Sequence, residues 1–542
     1  MNTVRNILIG GLFCLAGSFA VSAEGVADYE VVPIPHSVVP GRAKPFLLDA
    51  ETVIAYPAGN PALKKNADLL AGYLKDLTGL ALPVETVEAS KGKKCISLSA
   101  SLKSDNADAY TLNIAPDGIS IDGASAAGNF YGIQTLRKSI PAGEEGDVVF
   151  PAVTIQDAPE FGYRGAHLDV ARHFFPADSV KKYIDMMALH NMNRLHWHLS
   201  DDQGWRLPLG KHPELITKGS VRKGTCVGNN FSTLDSIPYG GFYTPAEVRD
   251  VIQYASDRHI SIIPEIDLPG HMLAALTAHP DLGCTGGPSE LWTRWGVSED
   301  VLCAGNPGVY ELLDDILTEV AEIFPFEYVH VGGDECPKDR WKECPKCQAK
   351  IAELGLKDDD HSSKEAKLQS HVMSFASDVL ARHGKKIIGW DEIIEGGLPE
   401  GSVVMSWRGT EGGKKAAALG HDAIMSPNSH YYLDYYQSKD REHEPFGIGG
   451  YNPLSKCFSY DPYEGISDAD RHHILGVQGN IWTEYIHTFP HVQYMALPRW
   501  AALSEVQWSA PESRDFDAFK TRLDRLKAHY RANGYNYSPR EE

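Results

Sequence analysis

The sequence predicts an α/β protein, a (β/α)8 TIM barrel preceded by a small α+β domain. Three observations carry this reading. The chain has 542 residues, well beyond the ~250 at which a single core stops growing, so more than one domain is required. From Phe161 onward, short apolar runs alternate with helical patterns, giving eight candidate strands over roughly 350 residues. Acidic, basic and aromatic residues recur at the C-terminal ends of those runs, where a barrel of this kind gathers its chemistry.

The elements follow in chain order. Arg5 precedes an apolar run from Ile7 to Val21 that closes on Val21-Ser22-Ala23. Residues 1–23 therefore read as a secretory signal, and the expected destination is periplasm, cell surface or medium. The run is shorter than the ~20 apolar residues of a membrane span, and no later stretch qualifies. Cys14 would serve a lipid anchor, but the bulky Phe13 before it fits that reading poorly. Residues 24–156 mix a strand at 52–56, a helix at 61–77, a hairpin over 109–121 turning at Pro116-Asp117-Gly118, and a helix at 125–138. This small domain ends near the proline-marked stretch 151–159 and carries no catalytic constellation.

Residues 157–542 form the barrel, with strands expected at 164–170, 193–199, 260–267, 328–332, 386–390, 402–407, 422–426 and 474–481. Val180, Tyr183, Ile184 and Met187 fall at helical spacing between the first two. Thr244-Pro245-Ala246-Glu247 is a capping box with proline at the first helical position.

Composition narrows the function. Hydrophobic residues make up 43% and charged residues 23%, a globular balance. Lys and Arg total 51 against 72 Asp and Glu, a formal charge of −21, which makes nucleic acid or an anionic membrane a poor partner. Ten Trp and 24 Tyr supply flat amphipathic rings that suit sugar faces as well as cores. Of nine cysteines, Cys284 and Cys303 flank one loop and could close it, while Cys336, Cys344 and Cys347 cluster in sequence. Cys344-Pro-Lys-Cys347 resembles half of a zinc ribbon, but no second Cys-x-x-Cys exists. The expectation is therefore a disulfide plus a free thiol rather than a structural zinc.

The expected strand ends gather Asp169 and Arg172, Asp201 and Asp202, Asp267 and His271, Asp334 and Glu335, Trp390, Trp407, and Trp482 with Glu484. The central motif is His330-Val331-Gly332-Gly333-Asp334-Glu335. Two glycines after an apolar strand allow a tight turn that projects adjacent carboxylates into the barrel mouth. Carboxylates that close cannot ionise independently, so one is expected to titrate high, as a general acid must. His173, His196, His198 and His330 read as structural histidines that bond loops beneath the site.

These residues resemble the family 20 glycoside hydrolases, the β-N-acetylhexosaminidases. The likeness rests on Tyr163-Arg164-Gly165 through Asp169–His173, His196–Asp202, Pro269-Gly270-His271, His330–Glu335, Gly389–Glu392, Tyr432-Leu433-Asp434 and Gln478–Glu484, and spans residues 28–510. It implies substrate-assisted catalysis, in which the 2-acetamido carbonyl of the substrate attacks C1 to form an oxazolinium intermediate. Glu335 matches the acid that protonates the leaving oxygen and then serves as base. Asp334 matches the residue that orients the acetamido N–H, and Tyr432 the hydroxyl that bonds its carbonyl. Arg172, Asp434 and Glu484 match groups that bind sugar hydroxyls, and Trp390, Trp407 and Trp482 the aromatic walls. Asp201 and His271 match a carboxylate–imidazole pair behind the acid; Asp202 competes for the first place. The resemblance implies no cofactor and no metal, and a glycan ending in β-linked GlcNAc, or alternatively GalNAc, as partner.

The bland alternative for Arg172 is a salt bridge to Asp169. Ala171 stands where serine is common in relatives, and His167 lies within the strand. Rival functions are a disaccharide-releasing lacto-N-biosidase, a metal-dependent hydrolase built on His196-Trp-His198, and a non-catalytic glycan binder.

Overall fold

The computed structural model describes residues 25–143, 145–540 and 542; the expected signal at 1–23 lies outside the described residues. No described helix is long and apolar enough to cross a membrane.

The amino-terminal unit is built on a seven-stranded mixed sheet. Its centre is the expected hairpin, Tyr110–Ala115 against Gly118–Gly123, with Val153–Asp157 antiparallel to the first arm. Helix Pro61–Thr78 begins where the Asn60 side chain accepts from the Leu63 N–H, and buries Leu63, Ala67, Leu70, Leu74 and Leu77 at helical spacing. Ser125 caps Ala126–Ser139 in the same way. Strands Ser37–Pro40, Phe46–Leu48, Val84–Thr86, Cys95–Ser99 and Val148–Phe150 were not expected. Runs so short hold too few alternations to register as a pattern.

The barrel strands are β1 (Tyr163–Asp169), β2 (Arg194–His198), β3 (Ser261–Leu268), β4 (Tyr328–Gly332), β5 (Lys386–Trp390), β6 (Val403–Ser406), β7 (Ala423–Met425) and β8 (Ile474–Ile481). They are parallel and close through β8 beside β1, from Tyr163↔Gly476 to Leu168↔Ile481. All eight coincide with expected runs. Helices Ala177–Leu189, Pro245–Ser256, Pro307–Ile323 and Lys364–Ala381 follow β1 to β4, and the capping box at Thr244 forms in full. Between β5 and β6 a single 3-10 turn, Asp391–Ile394, replaces the helix. Asp391 anchors this short cut by accepting from the Trp407 and Arg408 N–H groups and from Arg408 Nε at 2.6 Å.

The two units are joined by buried polar contacts. Asp157 Oδ2 accepts from Tyr110 Oη at 2.7 Å and from Trp508 Nε1, on the barrel, at 3.0 Å. Arg164 pairs with Asp108 at 3.0 Å. Helix Phe516–Ala532 closes the chain against the barrel through Arg522–Glu505 and Tyr530–His190.

No disulfide joins the eight described cysteines, which departs from expectation. Cys336 also stands outside the cluster; the four sulfurs that meet belong to Cys284, Cys303, Cys344 and Cys347.

Candidate active site

The floor of the barrel mouth is organised around one acid. Glu265 on β3 is fully buried; Trp390 Nε1 donates to it at 2.9 Å, His198 Nδ1 bonds it, and His196 Nε2 at 2.9 Å and His330 Nδ1 at 3.0 Å face it. Burial opposes its charge, yet the imidazoles hold it well below the usual carboxylate range. His196, His198 and His330 therefore do not bond loops, as expected from sequence; they hold a carboxylate. His173 does bond a loop, the Thr483 carbonyl at 2.5 Å. Burial lowers His198, but Glu265 and Asp201 outweigh it and push its pKa up to about 10. Both ring nitrogens of His198 thus face carboxylates, Glu265 at Nδ1 and Asp201 at Nε2.

From this floor a polar chain runs to the rim. Asp201 Oδ2 accepts from His198 Nε2 at 2.9 Å and Arg172 NH2 at 2.8 Å, while Oδ1 faces His271 Nδ1 at 3.3 Å. Despite burial, Arg172 and His271 keep Asp201 strongly acidic. Asp202 faces the same nitrogen at 3.4 Å, so both carboxylates back His271, but only Asp201 also takes Arg172. Arg172 is 3.4 Å from Asp169, the longer of its two ion pairs, and its guanidinium lies 5.0 Å over Trp482. Burial works against a charged His271, yet Asp201 raises it well above an ordinary imidazole. His271 Nε2 then points to Glu335 at 3.5 Å and Asp334 at 3.8 Å.

The turn after β4 is strained on purpose. Gly332, Gly333 and Glu335 all have positive φ, at 65°, 98° and 44°. A Cβ on Gly332 would lie 1.7 Å from Asp267 Oδ1, so only glycine lets β4 end beside that acid. The turn sends its two carboxylates apart. Asp334 points inward and is raised to about 6 by burial, with Glu265 and Glu335 adding to it. Glu335 keeps 41% of its side chain exposed and is lowered by His271. One member of the pair does titrate high, and in the open site it is Asp334. The physical reason is that His271 stands against Glu335 while solvent still reaches it. Asp267 is raised further, by burial and then by Asp334. Both of its oxygens lack hydrogen-bond partners, as does Asp334 Oδ1.

Aromatic walls enclose Asp334. Trp390 and Trp482 lie 5.7 Å apart, Tyr432 is 6.3 Å from Trp482, and Trp407 stacks on Tyr432 at 5.8 Å and 14°. Trp407 Nε1 donates to Glu392 at 2.9 Å. Asp434, buried with an unpartnered Oδ1, is raised by burial and by Glu484; Glu484 is itself raised by burial. Beside Glu335 a 380 Å³ cavity opens, lined by Val297, Lys338, Gln369, Glu392 and Arg408.

All eleven expected site residues therefore gather in the barrel mouth. Sequence reading missed Glu265 as the organising acid and gave Asp267 and Glu392 no task. The signal existed for Glu265: one acid inside the apolar run Ile262-Ile263-Pro264-Glu265-Ile266 must be paired.

Comparison with known proteins places this geometry. "Glycosyl hydrolase family 20, catalytic domain" matches residues 161–511 and "Glycosyl hydrolase family 20, domain 2" residues 28–158. The chain belongs to glycoside hydrolase family 20. A Beta-hexosaminidase of Porphyromonas gingivalis is 43% identical over 97% of this chain and 67% of its own length. A Beta-N-acetylhexosaminidase of Cellulomonas fimi is 33% identical over 92% and 93%. In structure, this family 20 chain matches the GH20 beta-N-acetylhexosaminidase of Streptomyces coelicolor with a TM-score of 0.81 and 32% identity, covering 96% of this chain and 99% of the other. The GH20 Exo beta-N-Acetylglucosaminidase of Vibrio harveyi, solved with N-acetylglucosamine, matches with a TM-score of 0.82 and 30% identity over 95% and 79%.

Proposed function

We propose that this β-N-acetylhexosaminidase removes terminal, non-reducing β-linked GlcNAc from glycans with retention, GalNAc being the alternative sugar. The carrying observation is the split turn after β4. Retention with a protein nucleophile needs two carboxyls ~5 Å apart across the scissile bond. Here the two acids share one turn, one inside the aromatic pit and one at its open rim. The nucleophile is then the acetamido carbonyl of the substrate. Asp334 accepts the acetamido N–H and stabilises the oxazolinium charge, and Tyr432 donates to the attacking carbonyl. Glu335 protonates the leaving oxygen, then draws a proton from the water that reopens the ring. A sugar seated over Glu335 displaces its water and raises its pKa toward the range an acid needs. Arg172, Asp434 and Glu484 bind ring hydroxyls; Trp390, Trp407 and Trp482 enclose the acetamido methyl and sugar face.

Turnover of aryl β-GlcNAc beside aryl β-glucoside tests this. Release from the acetamido sugar alone is expected; equal turnover of both would require a protein nucleophile and overturn the mechanism. Disaccharide glycosides in the same assay decide the lacto-N-biosidase alternative. Export is part of the proposal and is supported by Arg5, the apolar run and Val21-Ser22-Ala23. Sequencing of the mature amino terminus should begin just after Ala23.

A further inference from the structure

Four cysteines from two barrel loops meet outside the catalytic pit. Cys284 and Cys303 sit at the two ends of a loop between β3 and β4, closed by the Gly283–Leu302 bridge. Cys344 and Cys347 open helix Pro345–Glu353, after β4. All four sulfurs lie within 4.8 Å of one another: Cys303 is 3.6 Å from both Cys344 and Cys347, and Cys284 is 3.8 Å from Cys347. A disulfide would hold two of them at ~2.05 Å. Thiolates about 2.3 Å from a tetrahedral zinc stand about 3.8 Å from each other. The observed spacing is that of the tetrahedron edge.

The surroundings fit thiolates. Cys303, Cys344 and Cys347 are buried and Cys284 half-buried, so solvent meets the cluster at one corner. Gly305 lies directly against the Lys346–Cys347 peptide beside the cluster. Gly305 can approach because it has no side chain; a Cβ there would lie 2.1 Å from the Lys346 carbonyl. The missing second Cys-x-x-Cys is supplied in space by Cys284 and Cys303, brought together at the ends of the preceding loop.

We propose that Cys284, Cys303, Cys344 and Cys347 bind one structural Zn2+ as a tetrathiolate, clamping the loop that carries His271 to the loop that carries Asp334 and Glu335. Binding replaces four thiol protons by one ion and fills every coordination position, so the site is structural and not catalytic. The same two loops are otherwise tied by Trp341 Nε1 donating to the Leu302 carbonyl at 2.9 Å and by Arg340–Asp300 at 3.1 Å.

The test uses the purified full-length chain after dialysis against EDTA. Elemental analysis is expected to give about one zinc per chain. Titration with a mercurial should release that zinc, read with a chromophoric chelator, as thiols are consumed. Co2+ exchanged into the protein should show the visible d–d bands of a tetrahedral tetrathiolate. Cys284→Ser, at the half-buried corner, should lose most of the metal and lower kcat on the order of tenfold through misplaced His271 and Glu335. Cys457→Ser, outside the cluster, should retain zinc. An intact mass showing disulfides among the four, four free thiols without metal, iron in place of zinc, or zinc indifferent to Cys284→Ser would each overturn the proposal.

Discussion

Glu335 and Asp334 are neighbours in sequence with opposite electrostatic settings, and their substitution should separate two effects. Glu335→Gln should lower kcat about 10²–10⁴-fold on substrates with poor leaving groups and much less where the aglycone needs no proton. Steady-state kinetics across aryl glycosides of graded leaving ability would show it; a uniform loss would contradict the acid role. Asp334→Asn should remove about 3 kcal/mol of charge stabilisation from acetamido substrates. The pH dependence follows from the same residue. Asp334 titrates near 6 in the open site and acts as an anion, so kcat/KM should fall as pH drops through that value. Asp334→Asn should abolish this acid limb, and a limb that persists would have to be reassigned. These residues were legible because an acid pair after Gly-Gly at a strand end has few structural uses. Their order of titration was not legible, since it is set by His271, far away in sequence.

At the level of elements, the β4 turn and the Glu265 floor impose the tightest demands. Gly332→Ala puts a methyl into the Asp267 carboxylate at a positive φ, and should cost about 1–3 kcal/mol from the backbone alone. Chemical denaturation beside activity measurement would register both losses. Glu265→Gln strips the charge from a buried acid with three imidazoles around it, and should destabilise the fold by about 3–5 kcal/mol. A variant as stable as the parent would mean that the imidazoles, not the acid, carry the floor. The eight barrel strands were readable because buried parallel strands are continuous apolar runs between turn signals. The 3-10 turn replacing a helix after β5 was not, because Asp391 reaches its partners only once β6 is in place.

Over the whole molecule, the small domain and the barrel meet on Asp157, whose two oxygens accept from four donors: the His36 and Ala158 N–H groups, Tyr110 and Trp508. Asp157→Asn turns one acceptor into a donor facing donors and should cost about 1–3 kcal/mol, seen as a lowered unfolding midpoint with kcat unchanged. Both domains were visible in sequence through their different rhythms, but this joint was not, since its partners come from opposite ends of the chain. The cysteine cluster was legible only as two separate pairs, because their meeting depends on how two successive barrel loops pack.

The catalytic mouth is closed on one side and open on the other: the aromatic pit is buried, while Glu335 faces a 380 Å³ cavity. Under the proposed removal of one terminal sugar at a time, such a shape leaves most of a long chain in water. Each cut returns a shortened glycan to solution, free to present its new end to any copy of the enzyme or to a different hydrolase. On that proposal degradation is distributive, and a time course on a long chain should show every intermediate length building up; loss of long chains without intermediates would contradict it.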